Sequence, residues 1–181
     1  MDEGVLSRQI SVCIALFDNK KGPIMRRKDR EVTNPDEILD ILRRCDTIRL
    51  GLRGAEYPYV VPLSFGLEVE DGRPVVYFHC AREGFKLDLL RQDPRVCVEG
   101  DIFIKIEPTD HGITTRYESV IGTGVCEILT DPDACARGLK AICDHYGYFD
   151  YDLKNCRALQ FLHVGRIPLD TLTGKRNLPL G

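Results

Sequence analysis

The dipeptide Asp71-Gly72 constrains the fold of this chain more than any other feature, because it joins two long segments of extended character. Residues 59–70 precede it and residues 74–80 follow it, and both segments are rich in valine and aromatic residues. Asp-Gly between two such segments is a strong signal for a two-residue hairpin turn. Because strands joined by a tight turn pair antiparallel, the sequence predicts an antiparallel sheet in the middle of the chain.

Further extended segments continue this pattern on both sides of the hairpin. The chain lacks the regular alternation of strands and helices that a doubly wound parallel sheet needs. Many strands with few helices favour a closed or partly closed barrel with peripheral helices. Pro62 within residues 59–70 predicts a sheet edge, a bulge or a close approach to a ligand. The other predicted strands lie within residues 47–54, 95–107, 114–129 and 158–174.

Three helices are predicted from local signals at their ends. Asn34 can cap a helix over residues 35–45, and Glu37 completes the sequence pattern of a capping box. A second helix over residues 84–92 follows the central hairpin and ends before a proline. Asp131 precedes a proline and can cap the third helix. We therefore expect a single domain over residues 25–181, preceded by an N-terminal extension of uncertain structure over residues 1–24.

Composition narrows the class of protein. A net charge of −3 and a pI near 5.8 argue against a generic nucleic-acid binder. The longest apolar run near the start, residues 10–17, is too short to span a bilayer, and no cleavage signal follows it. We expect a cytoplasmic protein with no membrane partner. The eight cysteines include no CxxC pair, so no metal site is predicted, and most thiols are expected to be small buried hydrophobes.

Residues 79–86 concentrate reactive and cationic side chains where a strand gives way to a helix. The first turn of a helix attracts phosphate through its free N–H groups, and Gly84 and Lys86 would favour a bound anion there. The alternative is an ordinary strand–loop–helix connection, in which the same charged side chains simply face water. His79 alone would more often be structural. Cys80 could be a thiolate that nearby positive charge stabilises. The sequence places no second base beside Cys80 and His79, so a Cys–His hydrolase is disfavoured.

Residues 57–99 resemble the central part of the flavin-binding split-barrel proteins related to pyridoxamine 5′-phosphate oxidase. The PYVVPLSF strand, the Asp-Gly hairpin, the YFHCAREGFK junction and the helix that ends at Asp93-Pro94 carry the resemblance. Within that family the chain is most similar to the Nim-type branch, the 5-nitroimidazole resistance proteins. The resemblance covers roughly residues 25–175.

The resemblance implies a mainly β protein with peripheral helices, a six-stranded antiparallel split β-barrel that forms a homodimer with FMN at the subunit interface. The flavin ring would lie along one strand, and its phosphate would lie at the strand-to-helix junction. The ring-binding residues would be Tyr59, Val60, Val61, Pro62 and Leu63. The junction residues would be His79, Cys80, Ala81, Arg82, Gly84 and Lys86.

Individual positions carry different weight in this resemblance. Lys86 matches the family's phosphate-binding lysine, whereas Phe85 stands where the oxidases carry a second cation. Arg82 could replace that charge, or the phosphate could be held less tightly. His79 matches a histidine that lies close to the flavin in the Nim-type branch, which makes it the candidate catalytic residue. The strand that often reaches the partner subunit's flavin is matched by Arg116, Glu118 and Ser119.

The function implied is an FMN-dependent oxidoreductase that reduces a small electron acceptor, for example a nitroaromatic such as a 5-nitroimidazole. The first alternative is a non-catalytic module that binds FMN or haem. A pyridoxamine 5′-phosphate oxidase-like enzyme is disfavoured because the second phosphate cation is not evident. A deazaflavin-dependent reductase is compatible with the same motifs.

Overall fold

A computed structural model describes residues 25–150, 153 and 161–179. The predicted N-terminal extension, residues 1–24, lies outside the described residues, as does the first part of the last predicted strand, residues 158–160. A 3-10 turn covers Lys28–Arg30. The described helices are α1 (Pro35–Arg44), α2 (Phe85–Gln92) and α3 (Pro132–His145). None of these helices is long and apolar enough to cross a membrane.

The described strands form a nine-stranded antiparallel sheet. Its main order is β3-β2-β6-β7-β9-β5-β4, and the short strands β1 and β8 pair with β9 beside this path. The strands are β1 (Glu31–Val32), β2 (Ile48–Leu52), β3 (Tyr59–Leu63), β4 (Gly66–Glu70), β5 (Arg73–Ala81), β6 (Arg95–Thr109), β7 (Gly112–Val125), β8 (Glu127–Leu129) and β9 (Leu162–Asn177).

The sheet curls into a split barrel. Its two end strands, β3 and β4, both pack side chains against the same core cluster, with Tyr59 on one and Leu67 on the other. Two ends of one sheet can share a core only when the sheet bends around it. The predicted mainly β split-barrel class is therefore confirmed. The main order has seven strands instead of the predicted six, and β1 and β8 add two short strands that pair with the 16-residue β9.

The local signals at turns and helix ends are also confirmed. Asp71 (φ 49°) and Gly72 (φ 79°) form the predicted hairpin turn between β4 and β5. The Asn34 side chain accepts a hydrogen bond from the Asp36 backbone N–H at 2.9 Å, which caps α1. The predicted capping-box residue Glu37 instead forms an ion pair with Arg176 at 2.6 Å.

Strand β5 separates two hydrophobic cores. Val76 and Phe78 belong to the main barrel core, whereas Val75 and Tyr77 belong to a smaller core beneath α3. Alternate residues of a strand point to opposite faces, so each side chain of β5 is assigned to one of these two sides.

Of the six described cysteines, Cys45 and Cys126 are buried and the other four are half-buried, so the prediction that most thiols are buried is met only in part. No disulfide forms among the cysteines that the structure describes.

Candidate functional site at the β5–α2 junction

The junction between β5 and α2 leaves the start of the helix without a side-chain cap. Gly84 occupies the N-cap position with φ 140° and ψ 160°, a conformation open essentially only to glycine. A Cβ atom built on Gly84 would meet nothing within 4 Å. The Leu87 N–H donates to the Gly84 carbonyl at 2.9 Å, so the N–H groups of Phe85 and Lys86 are the first-turn donors left for a phosphate.

Lys86 places a positive charge at this junction. Its side chain is half-buried, and its ammonium lies 5.1 Å from the centroid of the Phe78 ring. Among the described residues, no carboxylate pairs with Lys86. Contact with an aromatic face stabilises a cation only modestly, so the ammonium keeps its capacity to bind an anion.

Strand β3 lies beside the same junction. The rings of Tyr59 and Phe85 meet edge to face, with centroids 5.1 Å apart. β3 is the terminal strand of the main order, which confirms the sheet edge predicted from Pro62. Tyr59, Val61 and Leu63 pack against the core, and Val60 is 59% exposed. The structure thus brings the predicted ring-binding strand and the predicted phosphate junction together.

Cys80 lies on the barrel side of β5, packed against the main core. Burial raises the pKa of the Cys80 thiol, and the nearby Lys86 ammonium opposes this increase only in part. The hypothesis that Cys80 is a thiolate favoured by its surroundings is therefore wrong. A protonated thiol at neutral pH can line a cofactor site, but it is a poor nucleophile.

His79 leaves β5 on the opposite side from Cys80. It follows the alternation of Val75 and Tyr77, pairs in register with Val164 of β9, and is exposed. Ala81 and Arg82, the next residues of the junction, are also exposed. The predicted junction residues are thus adjacent in the chain but divided between two faces of the strand.

Arg116 and Glu118 have partners within the subunit. Each residue is only 7% exposed. The Arg116 guanidinium pairs with Glu107 at 2.5 Å, and Glu118 pairs with Arg44 of α1 at 2.6 Å. Ser119 lies on the face of β7 opposite to Glu118 and is half-buried. The charges of Arg116 and Glu118 therefore compensate charges of their own subunit. Arg44 and Glu118 lie far apart in the sequence, whereas Glu107 and Arg116 lie on the two strands of one hairpin.

Phe78 is a further site residue that the sequence analysis missed. Its ring is fully buried and supports the Lys86 ammonium. The strand alternation of Val76, Phe78 and Cys80 was the available signal, since it places an aromatic ring on the face that the following helix covers.

The curled sheet and the open, cationic strand-to-helix junction define a protein of the split-barrel class. The family model described as pyridoxamine 5′-phosphate oxidase matches residues 34–176. This match covers most of the chain, and the chain belongs to that family. None of the curated proteins compared with the chain matches it.

Solved structures with the same fold give a similar result. A proposed 5-nitroimidazole antibiotic resistance protein from Bacteroides thetaiotaomicron is 26% identical, with a TM-score of 0.72 over 81% of this chain and 86% of that chain. The flavocytochrome Anf3 from Azotobacter vinelandii is 16% identical, with a TM-score of 0.72 over 87% and 75% of the two chains. The FAD and haem binding protein from Mycobacterium smegmatis is 17% identical, with a TM-score of 0.69 over 84% and 76%. At their identities, the last two support the fold alone.

Proposed function

We propose that the chain is an FMN-binding oxidoreductase that reduces a small electron acceptor and holds the FMN phosphate at the β5–α2 junction. The observation that carries this proposal is the Lys86 ammonium, which has no described carboxylate partner and stands at the uncapped start of a helix. A half-buried cation without a counter-ion is costly, and a bound phosphate would compensate it.

The residues of the junction fit a phosphate group. Lys86 offers three N–H donors, and the backbone at the start of α2 offers further donors aligned with the positive end of the helix dipole. Gly84 leaves the approach to these donors open, with nothing within 4 Å of its Cβ position. Phe85 stands where the oxidases carry a second cation, so a single lysine would hold the phosphate, with Arg82 on the exposed side of the junction.

Strand β3 fits the flavin ring. Its free edge offers backbone polar groups, and Tyr59 and Phe85 border the space between β3 and α2. FMN supplies the electron-transfer chemistry when bound, so the chain needs no strongly activated nucleophile. Its residues would bind the cofactor, orient the ring and restrict the access of water. His79 stays the candidate polar neighbour of the ring through the resemblance alone, because it leaves β5 on the face opposite to Cys80.

A nitroaromatic compound such as a 5-nitroimidazole is the proposed acceptor. The structural similarity to the Bacteroides thetaiotaomicron protein, at 26% identity, supports this choice of substrate class.

We propose a homodimer with FMN at the subunit interface. Residues 101–116 at the end of the β6–β7 hairpin pair only with one another among the described strands, and we name them the arm. A two-stranded hairpin is marginally stable alone. Ile106 is 61% exposed and Ile113 is 79% exposed, so contact with a second copy would bury apolar surface of the arm.

Light scattering should give twice the monomer mass, and Ile113→Lys should shift the distribution towards monomer. A monomeric parent protein at working concentration would refute the dimer.

The absorbance spectrum of the purified protein tests the cofactor. We expect flavin bands, and mass analysis of the released chromophore should identify FMN. Lys86→Met should weaken FMN binding about 10- to 100-fold, which corresponds to the loss of one charged hydrogen bond. Lys140→Met is the matched control, because Lys140 lies on α3 and already pairs with Asp144.

Other outcomes of the same measurement decide against the proposal. A colourless protein that takes up no FMN, oxidised or reduced, would exclude the flavin function. A haem spectrum would favour the binding module, the alternative predicted from the sequence. Tight FMN binding without reduction of any nitroaromatic acceptor under a panel of electron donors would reject the proposed reaction but keep the cofactor.

A further inference from the structure

We infer that a second cavity, on the α3 side of β5, binds a small organic carboxylate with an apolar or aromatic body. The cavity has a volume of about 440 Å³ and lies where the end of β5, the start of β9 and the start of α3 meet. Small-molecule sites commonly fall in the range of about 300–1,000 Å³. Its walls are formed by Arg82, Leu129, Thr130, Pro132, Cys135, Leu162 and His163.

The charge of this cavity selects an anion. Arg82 carries a permanent positive charge and pairs with no carboxylate among the described residues. Its planar guanidinium matches the geometry of a carboxylate with two parallel hydrogen bonds. His163 can donate one further hydrogen bond even as a neutral imidazole. Asp131, the N-cap of α3, accepts a hydrogen bond from the Ala134 N–H at 2.8 Å and is not part of the cavity wall, although its charge helps to raise the pKa of the Cys135 thiol after burial.

The remaining walls select an apolar body attached to the carboxylate. Leu129, Pro132 and Leu162 contribute only carbon surface besides their backbone, and the Cys135 thiol donates to the Leu129 carbonyl at 3.6 Å. An inorganic anion would leave this apolar surface unused. A ring of the size of benzoate would cover it while its carboxylate reached Arg82.

The cavity is separate from the proposed FMN phosphate site. Leu129, Cys135 and Leu162 pack against the core beneath α3, whereas Phe78 and Cys80, beside Lys86, pack in or against the barrel core. Strand β5 lies between these two cores. The two cations of the junction therefore serve different sites, with Lys86 on one side of the strand and Arg82 on the other.

Calorimetric titration of the protein as purified with benzoate, and with neutral benzamide, tests the inference. We expect benzoate to bind with a Kd below about 1 mM and benzamide to bind at least about 10-fold more weakly. Arg82→Gln should weaken benzoate binding about 10- to 100-fold. Arg53→Gln is the matched control, because it removes an exposed arginine outside the cavity and should leave benzoate binding unchanged.

Thr130→Phe tests the cavity without removing a charge, since Thr130 is exposed and lines the cavity. This variant should lose benzoate binding and keep the flavin content of the parent protein. The inference is overturned if benzoate does not bind, if Arg82→Gln binds it equally well, or if benzoate displaces the flavin. Because calorimetry detects benzoate whether or not flavin is present, failure of the FMN proposal would be seen separately in the absorbance spectrum.

Discussion

Two regions next to β5 use glycine for opposite reasons. On the α3 side, a Cβ atom on Gly66 would lie 2.4 Å from the backbone of Ala141, so the residue is needed because no space remains. At the β5–α2 junction, a Cβ atom on Gly84 would meet nothing, and the residue is needed because of its φ of 140°. The structure is closely packed around Gly66, whereas the space beside Gly84 is open.

The two regions also differ in whether their charged side chains are paired. On the α3 side, Arg166 pairs with Glu70 at 2.5 Å and with Glu127 at 2.9 Å, and Tyr77 donates to Glu70. At the junction, Lys86 contacts the Phe78 ring and has no carboxylate partner among the described residues. A half-buried cation without a carboxylate partner is costly, so the contrast supports the proposal that a ligand binds at the junction.

Gly66→Ala should have the largest effect on stability. The added methyl group would collide with the backbone at Ala141 and Ile142, which cannot move without shifting α3, and we expect a loss of about 3 kcal/mol in the free energy of unfolding. Urea denaturation measures this loss. Gly51→Ala is the control, since its Cβ would lie 3.6 Å from Cys97, and it should change stability by less than about 0.5 kcal/mol. Equal stability of the two variants would contradict the close packing of α3.

Gly84→Ala should have a smaller effect on stability and an additional effect on the cofactor. Backbone strain at this φ and ψ should cost about 2 kcal/mol, although the methyl group itself meets no atom. The start of α2 would shift, and the affinity for FMN should fall with it. Denaturation and flavin titration should be measured on the same preparation. A variant with parental stability would show that the junction does not need the glycine conformation.

The local signals of the sequence were sufficient for one part of the fold. The Asp71-Gly72 turn and the Asn34 and Asp131 caps depend on neighbouring residues, and all three are present. The close approach of α3 to Gly66 and the several partners of β9 depend on residues distant in the sequence. Local propensity carries no information on such contacts, which is why the strand number and the packing of α3 were not predicted.

The features of the candidate site also divide into those set by neighbouring residues and those set by contacts between distant residues. The helix start at Lys86 is a local feature that fitted an anion site and a solvated surface alike, and the assignment of Lys86 to the phosphate came from the resemblance. The pairing of Glu118 with Arg44 was not, because α1 and β7 meet only in the folded barrel. The opposite faces of His79 and Cys80 follow from strand alternation and could have been predicted from the sequence.

Glu118→Gln distinguishes a structural role from a cofactor role. If the carboxylate mainly compensates Arg44, its loss should lower the free energy of unfolding by about 1 kcal/mol and leave FMN affinity unchanged. Asp40→Asn is the control, because it removes an exposed partner of the same arginine at 2.8 Å and should have a smaller effect. Parental stability combined with weakened FMN binding would instead support the role implied by the resemblance, in which this strand reaches the partner's flavin.

The smallest expected effect is a change in the reactivity of Cys80. Burial raises the pKa of this thiol and Lys86 lowers it, so Lys86→Met should raise the pKa further and slow alkylation by iodoacetamide a few-fold at a fixed mildly alkaline pH. Peptide mass spectrometry of flavin-free protein measures the rate at each cysteine. Cys97 is an internal control, because burial and Glu99 raise the pKa of its thiol without a contribution from Lys86. An unchanged rate at Cys80 would mean that the ammonium does not act on the barrel side of β5, and the phosphate site would then have to be sought on the exposed side of the junction.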